Sequence, residues 1–400
     1  MAGSVFVIGT MDTKGVEVQF VAEVLRSRGV QALTVDVGTK SEPVDRADIP
    51  RSRITELAGE SMSVLERGQA VAQMGQALIP FLVQAWERGE LSGVIGLGGS
   101  GGTALITPAM RALPIGIPKV MVSTVASGNV APYVGCSDIL MFPSIVDVAG
   151  LNAVSTRILS NAANAMAGMV SGSIPSRPNH PALGLTMFGV TTPCVNAVRA
   201  KLESSGFDCL VFHATGVGGQ AMEGLVQSRF LEGLLDLTTT EVADEVVGGV
   251  FPAGPQRFDV LATRPIPCVL SVGAMDMVNF GAMQTVPEKF RSRRLHVHNS
   301  NVTLMRTTPE ENRKCAQWMA AKLRNAAGPL VVLLPELGVS ALDAPGQPFY
   351  DPEADAALFE ELEKMLQGKS NVRVERLSSH INDPAFSHRA VAVFQEIYHR

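Results

Sequence analysis

The chain has 400 residues, more than one ordinary hydrophobic core accommodates, so two domains are expected. Apolar residues make up 46%, enough for large buried sheets, while aromatics at 5% are too few for the stacking platforms that hold single-stranded nucleic acid. The net charge of −5, with no Lys/Arg block, excludes a basic stripe for a nucleic-acid backbone.

Strands and helices alternate from the start. Residues 5–8 predict a short strand, and residues 15–28 a helix with Val18, Val21 and Leu25 on one face and Gly29 ending it. Residues 33–37 predict the next strand and residues 65–87 a long helix. Residues 94–97, 120–123 and 139–142 are further strands, and residues 152–170, rich in Ala and Asn, a further helix. The alternation predicts an α/β fold with a doubly wound, mainly parallel sheet covered by helices on both faces.

Residues 173–181 contain Pro175, Pro178 and Pro181 and no hydrophobic pattern, so they read as a linker between a nucleotide-binding domain (1–172) and a second domain (182–400). The second domain repeats the first. At a constant offset Val18 falls on Val195, Val21 on Val198, Leu25 on Leu202, Gly29 on Gly206 and Asp36 on His213. Residues 93–99 have a counterpart at 233–239, and the Ile-Pro-x-Val of 117–120 returns at 266–269. The anchors keep their order, so two similar Rossmann-like domains, related by duplication, are expected.

Cys136, Cys194, Cys209, Cys268 and Cys315 are odd in number and scattered, which favours thiols in a reducing compartment over a disulfide frame or a zinc site. Residues 1–10 lack a basic leader and no apolar run is long enough to span a bilayer. A cytoplasmic chain without membrane contact is expected.

In open parallel sheets ligands bind beyond the carboxyl ends of the strands, so the residues after each strand are the candidates. After the first strand, Gly9, Thr10, Asp12, Thr13 and Lys14 offer hydroxyls, a carboxylate and a cation at a helix start; a plain helix cap by Asp12 or Thr13 is the alternative. Asp36 closes the second strand, where an acid holds a ribose hydroxyl or simply a turn. After the third strand, Gly98-Gly99-Ser100-Gly101-Gly102-Thr103 exposes backbone N–H groups of the kind that cradle phosphate. The formal G-x-G-x-x-G at 96–101 lacks the acid that NAD binding requires, since the next strand ends in Ser123-Thr124, and no Walker A lysine is present. Asp138 and Asp147 are candidates for approaching a phosphate-held metal.

In the second domain, His213 leads into a second glycine-rich loop with Thr215, Gly216 and Gly218. His213 reads either as a general acid–base group or as a hydrogen-bonded strand-end histidine. Glu241, Asp244 and Glu245 share about one helical turn, normally a solvated face. His296 and His298 would share one face of a strand, a weak metal signal. Asp276 and the 343–352 loop, with an exposed-looking Phe349–Tyr350 pair, complete the candidates; the catalytic ones are His213, Asp276 and Glu241.

Together GTMDTKG (9–15), GGSGGT (98–103), VSTVASGNVAPYVG (122–135), LTMFGVTTP (185–193), FHATGVGG (212–219), LTTTE (237–241) and LDAPGQPFYD (342–351) resemble the family of the ATP-binding domain of the tomato mosaic virus resistance protein and its bacterial relatives. The resemblance implies two Rossmann-like subdomains, a homodimer, and ATP with Mg²⁺. Position after the predicted strands then places the ligand near the domain cleft, with phosphate contacts from 98–103 and Lys14, and Thr10, Thr13, Ser123, Thr124 and the 213–219 loop around it. The plant relative continues into a barrel domain resembling phosphoenolpyruvate-dependent enzymes, so a separate barrel-type enzyme is an expected partner. The remaining alternatives are an enzyme acting on a phosphorylated or carboxylate metabolite through second-domain residues, and a non-catalytic nucleotide-sensing dimer.

Overall fold

A computed structural model describes residues 3–40, 46–56, 67–173 and 180–399. Residues 174–179 of the expected linker, and 65–66 of the expected long helix, lie outside the described residues. The chain forms two compact units, residues 1–177 and 178–400.

The first unit runs β1 (Ser4–Gly9), α1 (Met11–Ser27), β2 (Ala32–Asp36), α2 (Arg51–Thr55), α3 (Arg67–Glu87), β3 (Leu91–Gly98), α4 (Ser100–Ala112), β4 (Lys119–Ser123), α5 (Ala131–Val134), β5 (Leu140–Pro143) and α6 (Ala153–Ser171). Its five strands are parallel in the order β2-β1-β3-β4-β5. Successive strand residues point to opposite faces. Phe6, Ile8, Val94 and Met121 therefore enter one core under α3 and α4. Val5, Val7, Ile95 and Val120 enter the other, under α1 and α6. Both faces are dry, which is why these strands read as continuous apolar runs.

The second unit runs β6 (Ala182–Met187), α7 (Thr192–Ser204), β7 (Asp208–His213), α8 (Val217–Gln227), β8 (Gly233–Thr238), α9 (Thr240–Val247), α10 (Val260–Thr263), β9 (Cys268–Gly273), β10 (Met277–Phe280), β11 (Leu295–Asn299), β12 (Val302–Arg306), α11 (Pro309–Leu323), β13 (Leu330–Pro335), α12 (Pro352–Leu366), β14 (Val372–Leu377) and α13 (Pro384–Tyr398). Its main sheet has the order β14-β13-β9-β8-β6-β7. Renumbered from β6, this is the order of the first sheet with one strand added. The expected pair of Rossmann-like units is what the fold contains. An antiparallel sheet, β10-β12-β11, is inserted after β9 and has no counterpart among the described residues of the first unit.

Candidate functional site

In the first unit the strand order reverses between β1 and β3, the switch point at which such sheets open a crevice. The loops after β1 and β3 are the two that the sequence singles out. α4 begins at Ser100 with Gly99 as its N-cap, and no side chain caps it. Thr103 N–H is the first to be satisfied, by the Gly99 carbonyl at 2.9 Å. The N–H groups of the first turn thus face outward at the positive end of the helix dipole. Gly101 is exposed, and a Cβ built there meets nothing within 4 Å. At Gly99 and Gly102 the nearest atoms are 3.6 and 3.5 Å away. Packing explains Gly98, whose Cβ would lie 2.9 Å from the backbone of Gly102. It does not explain the other three.

Thr103 and Ser123 are buried and share a hydrogen bond of 2.6 Å, fastening the α4 start to the end of β4. Their hydroxyls therefore position the loop rather than face a ligand. Thr124 is exposed, and a Cβ on Gly99 would lie 3.6 Å from its hydroxyl. Thr124 opens a cavity of about 520 Å³ beyond β4 and β5, lined by Ser123, Thr124, Ser127, Pro143, Ser144, Ile145, Val146 and Asp147.

A strap, residues 144–152, leads from β5 to α6 along this cavity. Lys14 Nζ donates to the Val148 carbonyl, next to Asp147, and buried Glu17 accepts from Gly150 N–H. At its far end Asn152 accepts from Val154 and Ser155 N–H, a capping box that fixes the start of α6. Lys14 departs from helical geometry at φ −134°, which separates the first turn of α1 from the rest. One lysine donor holds the strap, and the ammonium retains others.

Other candidates have structural employment. Asp36 is 1% exposed; its Oδ1 accepts from Met11 and Gly38 N–H, and its Oδ2 faces Arg51 at 3.5 Å. Gly38 is required there, because a Cβ would lie 2.9 Å from both the Asp12 and Asp36 side chains. The expected ribose contact is thus corrected: the carboxylate clasps the start of α1. Asp12 accepts from Lys40 N–H at 2.9 Å, and the Thr10 and Thr13 hydroxyls lie 3.0 Å apart. Neither Asp12 nor Thr13 caps α1, whose N-cap is Thr10. Asp138 binds buried Lys119 at 2.6 Å, and Lys119 opens β4, so this pair sits at the opposite end of the sheet from the site.

The glycines after β7 differ from those after β3. A Cβ on Gly218 would lie 1.8 Å from the His213 carbonyl oxygen, and one on Gly216 would lie 2.4 Å from that of Pro252. The protein's own atoms fill this loop, with Gly216 N–H held by Glu241 at 2.8 Å and Thr215 N–H by the His213 carbonyl. Glu241 and Asp244 are buried, not on a solvated face. Arg257, 1% exposed, binds Glu223, Asp236 and Glu241 at 2.5–2.7 Å. One guanidinium serves three carboxylates, so burial still raises Glu223 and Glu241 above the usual carboxylate range. Asp244 is pushed up to about 7 by burial, against hydrogen bonds from Asn279 and Phe251.

A second buried cluster holds the 343–352 loop. Arg306 donates to the Phe349 and Asp351 carbonyls and to Asp355, with Asp343 at 3.7 Å. Phe349 is fully buried, contrary to the expected exposed pair; Tyr350 alone is exposed. Asp276 is fully buried, receives Ser340 Oγ at 2.8 Å, and burial pushes its carboxyl up to about 7. His213 is exposed at the end of edge strand β7, three strand positions from β9, or about 14 Å. Glu241 reaches the loop that follows His213, at Gly216 N–H, but its carboxylate is committed to that amide and to Arg257. His296 and His298 do lie on one strand, β11, but no group of three His, Cys, Asp or Glu side chains gathers for a metal among the described residues. Cys194, Cys209, Cys268 and Cys315 are buried free thiols.

Residues 3–175 match the N-terminal domain, and residues 180–398 the C-terminal domain, of the uncharacterised protein family UPF0261. The chain belongs to the UPF0261 family. A UPF0261 protein of Rhizobium meliloti is 52% identical, with 98% of each chain aligned, and one of Clostridium tetani 45% identical over 97% of each. The ToMV resistance protein Tm-1 of Solanum lycopersicum is 50% identical over 98% of this chain, which spans 55% of its length. The resemblance drawn from the loop motifs therefore holds, and UPF0261 is its family. No helix among the described residues is long and apolar enough to cross a membrane.

Proposed function

We propose that this UPF0261 chain binds Mg·ATP at the carboxyl ends of β1, β3, β4 and β5 in its first unit, in the service of small-molecule metabolism. The observation that carries the reading is the contrast between glycines. A Cβ on Gly101 would meet open space, and one on Gly99 or Gly102 only ordinary contact, beside uncapped helix N–H groups, while Gly216 and Gly218 are consumed by packing. Amides at a helix N-terminus favour phosphate oxygens, and Lys14 adds a cation on the adjoining loop. With one nearby lysine and no caged-metal cluster among the described residues, the side chains present fit a magnesium ion carried by the phosphates and its own waters. Such an ion would neutralise phosphate charge. The homodimer and a barrel-type partner enzyme belong to the same proposal on the resemblance, and the cytoplasmic setting on the scattered cysteines. The second-unit enzyme reading loses support, because the buried Glu241 and Asp276 carboxylates are committed to Gly216, Arg257 and Ser340.

The test is calorimetric titration with ATP, AMP, GTP and NAD, with and without Mg²⁺, on the native chain and on Gly101→Asp. An acid in the first turn of a helix is favourable by about 0.3–1 kcal/mol, so this variant keeps its fold while repelling phosphate. Selective Mg·ATP binding, weakened at least about tenfold in the variant, is expected. Absence of nucleotide binding, or binding indifferent to the substitution, sinks the assignment.

A further inference from the structure

The cavity beyond β4 and β5 differs in chemistry from the loop beside it. Its polar groups are the hydroxyls of Thr124, Ser127 and Ser144 and the carboxylate of Asp147, and no cation lines it among the described residues. A triphosphate is repelled there, whereas a neutral group rich in hydroxyl or amino donors is not. At about 520 Å³ it falls in the size range of small-molecule sites.

Ile145 marks the cavity further. Val146 N–H donates to the Ser144 carbonyl at 2.7 Å, closing a three-residue turn with Ile145 at its centre and φ at +64°. The Ser144 hydroxyl donates to the Val146 carbonyl at 2.7 Å, and Ser144 N–H continues the ladder to Ser123 at 3.1 Å. A β-branched residue at positive φ is strained. Packing gives nothing in return, since Ile145 is 73% exposed. Strain of this kind, held in place by neighbouring hydrogen bonds, collects at ligand contacts.

We propose that this cavity is the nucleoside pocket of the site, with Ile145 lying against a face of the base and Asp147 accepting from the ribose hydroxyls. The inference rests on the phosphate reading of the β3–α4 loop. Asp147 takes the role that buried Asp36 is unable to fill. The pocket adjoins the phosphate loop through Thr124 and Gly99, so one ligand reaches both.

The full chain is titrated with Mg²⁺ and either ATP, inorganic tripolyphosphate or 2′,3′-dideoxy-ATP, as the native protein, Ile145→Gly and Asp147→Asn. ATP is expected to bind at least about tenfold more tightly than tripolyphosphate, the scale of one charged hydrogen bond plus apolar contact. Each variant loses about tenfold for ATP and leaves tripolyphosphate unchanged. Dideoxy-ATP is weaker than ATP on the native chain and equal to it on Asp147→Asn. Equal binding of ATP and tripolyphosphate overturns the pocket while the phosphate site stands. So does weakening of both ligands alike by the variants. If neither ligand binds, the phosphate reading fails and the pocket falls with it.

Discussion

Ile145 carries a backbone cost that its surroundings do not repay. Left-handed geometry costs a non-glycine residue about 1–2 kcal/mol, and its side chain is too exposed to recover that in packing. Ile145→Gly is therefore expected to raise unfolding stability by about 1 kcal/mol in urea titration, while weakening the ligand. A loss of stability instead would show that the side chain is packed and the strain structural. Nothing in the sequence announces this residue, since isoleucine carries no signal for positive φ. Inspecting the residues beyond each strand finds Asp147 by its carboxylate and passes over Ile145. The same rule fails differently at Asp36, Thr103 and Ser123. Position after a strand fixes where a residue sits, but backbone N–H groups at helix starts compete with ligands for its oxygens. Thr124 stays exposed at the cavity, while Lys14 is tied to the strap at the Val148 carbonyl.

At the scale of elements, the strands and helices were legible because both faces of each sheet are dry and the helices are amphipathic. The insert β10–β12 was not, and it changes what surrounds α9. Asn279 of the insert holds Asp244 in the interior, while Arg257 and the loop after β7 enclose Glu241, so neither lies on a surface turn. Removing the one cation strands three carboxylates, so Arg257→Leu is expected to cost about 3–5 kcal/mol in chemical denaturation. A cost below about 1 kcal/mol would mean the carboxylates are neutral without it. The Arg306 cluster yields a pH prediction. Burial pushes Asp355 up to about 9, against the pull of Arg306 and with Asp343 alongside. The folded chain then holds a proton that the unfolded chain has released. The stability this brings is complete below about pH 4 and is lost as pH rises through 9. Asn mimics the protonated acid, so Asp355→Asn should flatten the fall in melting temperature between about pH 7 and 9. An unchanged slope would place the titration elsewhere.

At the scale of the whole molecule, two sheets share a strand order, and of the glycine-rich loops after β3 and β7 the first alone leaves room beside its glycines. Repeated anchors in the sequence made the shared order legible. The glycine-rich loops after β3 and β7 are not counterparts in that repeat, and a glycine beside open space and a glycine pressed by a neighbouring carbonyl are the same letter. Gly101 and Gly218 are separated only by what stands where a Cβ would be: nothing within 4 Å in one case, a carbonyl oxygen at 1.8 Å in the other. The proposed function therefore calls for one nucleotide per chain, in the first unit. Amide hydrogen exchange of the full chain with and without saturating Mg·ATP tests this most directly. The account predicts slowed exchange at residues 9–14, 98–103, 123–128 and 144–148, with residues 188–192, 213–219 and 238–241 unchanged. Protection in the second set, or no protection in the first, would contradict it.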